Sequence, residues 1–174
     1  MKKYQKEIIG IYFFFISIFI ALSLFGYDII TSSDLMGPIG AIIAKYLLFY
    51  IGIGSYFLPI IFFLYGYLYF TGKQKYSPKY LKISIYLLAL SIWICMLLAF
   101  LGNIFNIQLW QHYSGFLAIL LISSLINKIG YISTIIILFM YIVIINMIFF
   151  NFSFYNFIIT IKESSFSLLL AFKN

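Results

Sequence analysis

Few residues in this 174-residue chain have side chains that could do chemistry. The one histidine, His112, could serve as a base or a proton sensor. It sits in LWQHYS between Trp110 and Tyr113, the composition of an aromatic belt at a membrane boundary. The four carboxylates, Glu7, Asp28, Asp34 and Glu163, lie outside the interiors of the apolar runs, whereas proton-coupled transport needs acids within them. Inside those runs the polar groups are Lys45, Asn146, Ser17, Ser55, Ser84, Ser91, Ser123, Ser133 and Thr134. Asn146 reads as an interhelical hydrogen bond of about 1 kcal/mol. Lys45 can carry its ammonium along its stem to the headgroups; the alternative is a charge lining a channel.

No catalytic constellation emerges. Cys95 is the single cysteine, and with one histidine it supports neither a disulfide framework nor a metal cluster. There is no G-x-x-x-x-G-K-[ST], no G-x-S-x-G and no H-E-x-x-H. The expectation is therefore no catalytic residue, no metal and no cofactor. Eleven lysines without an arginine leave a net charge of +7. Arginine is the usual bidentate reader of guanine and phosphate, so these residues are not expected to bind DNA directly.

The elements that carry these residues are membrane spans. The chain is 65% hydrophobic and 9% charged, with a mean hydropathy of +1.12; a soluble domain is about half apolar and about a quarter charged. A span needs about 20 apolar residues. Four runs qualify: 8–26, one within 40–70, 83–101 and 131–150. A fifth apolar patch, 116–127, is too short to cross and reads as an interfacial or re-entrant helix, bracketed by Gly115 and Gly130. The expected fold is an all-α integral membrane protein, a bundle of four transmembrane helices with a short helix before the fourth. Residues 1–150 form the membrane domain and 151–174 a cytoplasmic tail at the membrane surface.

Lysine placement predicts orientation. Lys2, Lys3 and Lys6 precede the first run, and Lys73, Lys75, Lys79 and Lys82 crowd the 71–82 loop, where they meet headgroups. The loop 27–39 has no lysine, and 102–130 has only Lys128. Both termini are expected in the cytoplasm. The first run is expected to remain as an uncleaved anchor. Ala21-Leu22-Ser23 resembles a weak cleavage site, but the apolar stretch is longer than the roughly 7–15 residues of a signal peptide.

The second run is built unlike the others. Residues 36–59 read MGPIGAIIAKYLLFYIGIGSYFLP, rich in residues that form helices poorly. As one straight helix, 40–70 would extend about 46 Å against a hydrocarbon core of about 30 Å. Pro59 is the expected bend, because it lacks an N–H and crowds the carbonyl four residues back. On a helical wheel Gly37, Gly40, Ala41, Ala44, Gly52, Ser55, Pro59 and Gly66 share about a third of the circumference, at 100° per residue. In lipid, helices associate through close backbone approach, so this stripe is expected to be a helix-packing face.

The same residues resemble a known family. Gly37-x-x-Gly40-Ala41-x-x-Ala44-x-x-Leu47-x-Phe49-x-x-Gly52-x-x-Ser55-Tyr56-x-x-Pro59 is similar to the second membrane helix of the FtsK/SpoIIIE septal DNA translocases. The resemblance covers about residues 8–150, including the basic loop after the second span and the glycine-framed segment before the fourth. Lys45 and the loop after the first span depart from the family pattern. The resemblance implies a multi-pass protein of the bacterial cytoplasmic (inner) membrane, located at the septum, which anchors the translocase and supports chromosome segregation. It implies homo-oligomerisation and contacts with division proteins, besides the lipid bilayer, and no small-molecule substrate. DNA would be reached only through an ATPase motor outside these residues, C-terminal or on another chain. The alternative reading is a small four-span channel or transporter subunit, with Lys45 and Asn146 lining a path.

Overall fold

The structure is a computed structural model that describes residues 3–29, 36–72 and 77–150. Lys73, Lys75, Asp34 and the tail 151–174 lie outside the described residues, which are helical apart from short turns and contain no strand. Helix α1 spans Lys3–Ile29, α2 Gly37–Ile51 and α3 Phe57–Phe70, the last two joined by a 3-10 turn at Gly52–Tyr56. They are followed by α4 (Ser77–Phe105), the short α5 (Gln108–Ser114) and α6 (Phe116–Phe150). Four stretches are long and apolar enough to cross a membrane: Tyr4–Tyr27, Gly37–Phe70, Pro78–Phe105 and Phe116–Phe149. Pro38 and Pro78 both fall in first turns, where a missing N–H leaves no helical bond unmade.

Helices α1 and α3 run antiparallel in close contact. A Cβ on Gly10 would sit 2.6 Å from Phe70 N and 3.0 Å from Gly66 O, and one on Gly66 3.2 Å from Gly10 O. Two backbones therefore touch, the approach that replaces the missing hydrophobic drive in lipid. Around this contact Phe13 packs on Phe62, Tyr65 and Tyr69, and Phe14 meets Phe63 and Phe70 edge-on. Ser17 Oγ donates to Pro59 O at 2.7 Å.

The second crossing is not a rod, and its bend is not at Pro59. Ser23 Oγ lies 2.8 Å from where a Gly40 Cβ would be, while Ser17 bonds Pro59. On α1 those serines are separated by about 9 Å, whereas a straight helix would hold Gly40 and Pro59 about 28 Å apart. The chain doubles over between them, at Gly52, whose φ of 70° and ψ of −146° only glycine adopts readily. Pro59 instead lies in the first turn of α3, where proline does little harm. Because the backbone turns at Gly52, residues before and after it do not share one helical wheel.

The second half of the molecule is an antiparallel pair with a dip between its members. Helix α6 is interrupted at Gly130 (φ 81°, ψ 171°), giving arms 116–129 and 131–150. Arm 131–150 runs along α4. Tyr131 Oη donates to Asn103 Oδ1, Trp93 Nε1 to Leu138 O at 2.9 Å, and Tyr141 Oη to Ala89 O. Helix α4 ends at Asn106 in the left-handed region, which asparagine tolerates. The chain then turns back. Gln111 lies beside Gly102, and Gly115 reaches the 3-10 turn that Cys95 also touches. Arm 116–129 returns toward the level of Asn103, so the short helix is the outward limb of a re-entrant pair. Its buried Ala118 and Ile122 join Cys95, Ala99, Phe100 and Leu138 in the core.

Replacing Gly10 by alanine is expected to destabilise the fold by about 1–3 kcal/mol, since backbone rather than a flexible side chain must move. Ile18→Ala, at an exposed position on the same helix, should change stability little. Thermal melting in detergent distinguishes the two.

Candidate helix-packing interface

The break at Gly52 creates a problem that neighbouring elements solve. Where a helix opens, carbonyl and N–H groups lose their partners, and in hydrocarbon each unsatisfied group costs several kcal/mol. Cys95 of α4 meets two of them. Its Sγ–H donates to Ile51 O at 3.0 Å, and its sulfur accepts from Gly54 N–H at 3.2 Å. The N–H of Gly52 closes back on Leu48 O.

The re-entrant limb seals the same point. A Cβ on Gly52 would collide with Tyr113 O and lie 2.6 Å from Gly115 N, and one on Gly115 would lie 2.5 Å from Gly52 N. Gly115 itself has φ 79° and ψ 153°, again a conformation for glycine. Phe49 and Phe116 stack nearly parallel beside this contact, with ring centroids 5.7 Å apart. Two irregular backbones thus face each other rather than lipid, flanked by the thiol and an aromatic pair.

The residues of the sequence-defined stripe divide between several contacts. Gly40 packs on Ser23, Gly52 on Ser114 and Gly115, and Pro59 accepts the Ser17 hydrogen bond. Ala44 and Ser55 are fully buried, and Ser55 Oγ has no hydrogen-bond partner among the described residues. Ala41 is half-buried and lines a small crevice with Leu22, Gly26 and Gly40. Gly37 starts α2 with φ 71° and has nothing within 4 Å of where a Cβ would sit, so it supplies conformation rather than contact. Lys79 and Lys82 are exposed at the start of α4, with Lys82 Nζ 6.0 Å from the Phe149 ring centroid.

The two residues weighed as a transport path lie on different contacts. Asn146 Nδ2 donates to Ile142 O, and its Oδ1 accepts from Tyr86 Oη at 3.4 Å, an α4–α6 bond. Lys45 is exposed on α2 in a hollow between α1, α5 and α6. His112 falls in α5. Among the described residues no group of three metal-ligating side chains converges. Residues that pattern reading missed are Cys95, Gly54, Gly10 and Ser17. The signal for the break was present in Gly52-Ile53-Gly54, two glycines two residues apart in an otherwise apolar run.

Cys95→Ala is expected to cost about 1–3 kcal/mol by removing the thiol's bonds to Ile51 O and Gly54 N–H, while Cys95→Ser retains much of the stability. Gly115→Ala should cost at least the roughly 1–3 kcal/mol of a strained backbone. Gly130→Ala, strained but with open space around it, should cost less. Reversible unfolding in micelles reads all four.

A sequence model of the 4TM region of DNA translocase FtsK/SpoIIIE matches residues 2–162. No curated protein and no solved structure matches the chain. The match takes in all four apolar crossings, the basic loop and the re-entrant segment, and by it the chain belongs to the family of four-transmembrane regions of the FtsK/SpoIIIE DNA translocases.

Proposed function

We propose that this chain is the membrane anchor of a DNA-translocase-type cell-division protein, holding it at the division septum of the bacterial inner membrane and so supporting chromosome segregation. The observation that carries the reading is the family match over residues 2–162, coincident with four apolar crossings. An anchor needs a stable bundle and no reactive constellation, and Ser17, Asn146 and Trp93 use their polar groups in hydrogen bonds between helices. The chain is not itself an enzyme in this reading. ATP hydrolysis and DNA movement belong to a motor C-terminal to these residues or on another chain, and DNA is contacted only there.

The lysine-rich loop 71–82 and the N-terminus lie on the cytoplasmic side, held there by Lys73, Lys75, Lys79 and Lys82 against anionic headgroups. That puts the re-entrant pair and the Gly130 turn on the opposite face. Gly40, Ala44, Gly52, Ser55 and Pro59 serve packing within the bundle. Self-association and contacts with division proteins therefore fall to outward surfaces such as Ile132, Ile135, Ile136 and Phe139 of α6.

A fluorescent fusion expressed in dividing bacteria is expected to form a midcell band. Even labelling of the whole envelope would overturn the septal assignment. With Cys95 replaced by serine, a cysteine introduced at Lys75 should resist a membrane-impermeant maleimide added to intact cells, and one introduced at Lys128 should react.

A further inference from the structure

We propose that the hollow around Lys45 binds an anionic glycerophospholipid, its phosphate on the lysine ammonium and one acyl chain along Phe49, Phe116 and Ile119. Two adjoining hollows, of about 210 and 360 Å³, share Lys45 and Phe49. The first lies where Tyr27 at the end of α1, Leu48 of α2, Gln111 of α5 and the start of α6 converge. The second runs along α2 past Tyr46 and Tyr50, whose rings stack 6.3 Å apart.

Three observations select the occupant. Lys45 is exposed, and the walls around it are Leu48, Phe49, Phe116 and Ile119. An ammonium between apolar walls keeps its charge only where an anion or water meets it. Next, the hollow opens at the right depth: Tyr27 is in the last turn of α1, and Gln111 is held against Gly102 near the end of α4 by its Nε2 bond to Gly102 O. Tyrosines at that level mark the headgroup boundary. Finally, the floor is apolar and rigid, with Phe49 stacked on Phe116. A positive group above an apolar floor fits an amphiphile with a negative head. A free phosphate ion would leave the floor uncovered, and a zwitterionic lipid brings its own ammonium next to its phosphate. Lipid binding at this hollow is independent of where in the cell the chain resides.

Native mass spectrometry of the whole chain, extracted from bilayers of phosphatidylcholine and phosphatidylglycerol, tests this. The wild type should retain one phosphatidylglycerol, Lys45→Gln about fivefold less, and Lys45→Arg as much as the wild type. Phosphatidylcholine retention should be equal in all three. Lys82→Gln, removing an exposed cation at the start of α4, should leave phosphatidylglycerol retention unchanged. A second readout needs no variant: phosphatidylglycerol added to the wild type in detergent should raise its melting temperature more than phosphatidylcholine does. Equal retention by wild type and Lys45→Gln overturns the proposal. So does parallel loss of both lipids, displacement by millimolar inorganic phosphate alone, or equal melting shifts with the two lipids.

Discussion

Everything in this bundle is arranged around one requirement: backbone groups opened inside an apolar solvent must find partners in the protein. The chain opens at Gly52, where Ile51 O and Gly54 N–H are met by a thiol from α4 and the backbone of a second opened segment at Gly115 packs closely over the turn. Each irregularity shields the other. A side chain at either glycine would force them apart and let lipid reach unpaired N–H and C=O groups, which hydrocarbon cannot satisfy.

That junction sets the rest of the geometry. Turning at Gly52 lets α2 lean over the end of α1 while α3 stays parallel to the α1 axis and packs on it through Gly10 and Gly66. The re-entrant limb needs a dock at mid-depth, and the turn supplies it. With Gly115 held there, arm 116–129 can lay Ala118 and Ile122 against Ala99 and Phe100, and the Gly130 turn can send arm 131–150 back along α4. The hydrogen bonds of Trp93, Tyr141 and Tyr131 then set the register of that last pair.

Much of this was legible before any coordinates. Four long apolar runs, a fifth too short to cross, and glycines at 115 and 130 follow from length and composition, because a bilayer demands about 20 apolar residues and rewards little else. The resemblance to the family likewise is carried by residues 37–59 as they stand in the chain. The site of the bend was not. A wheel through residues 37–66 assumes one continuous helix, and proline is the commonest cause of a kink, so the pattern points to Pro59. Near a helix start, however, proline is harmless, whereas Gly-x-Gly in mid-run leaves the backbone free to open. Cys95 carried no local signal at all: its role depends on groups more than 40 residues away.

Membrane residence and the number of possible crossings follow from hydropathy summed over windows of about 20 residues, and the resemblance to the family from the residues of 37–59. Which small residues touch which neighbours is settled only in the folded bundle. Close packing is a relation between elements, and a glycine's partner, whether Ser23, Phe70 or Gly115, lies far along the chain. The folded bundle also decides that Lys45 faces a hollow built from four helices, since no stretch of sequence contains that surface.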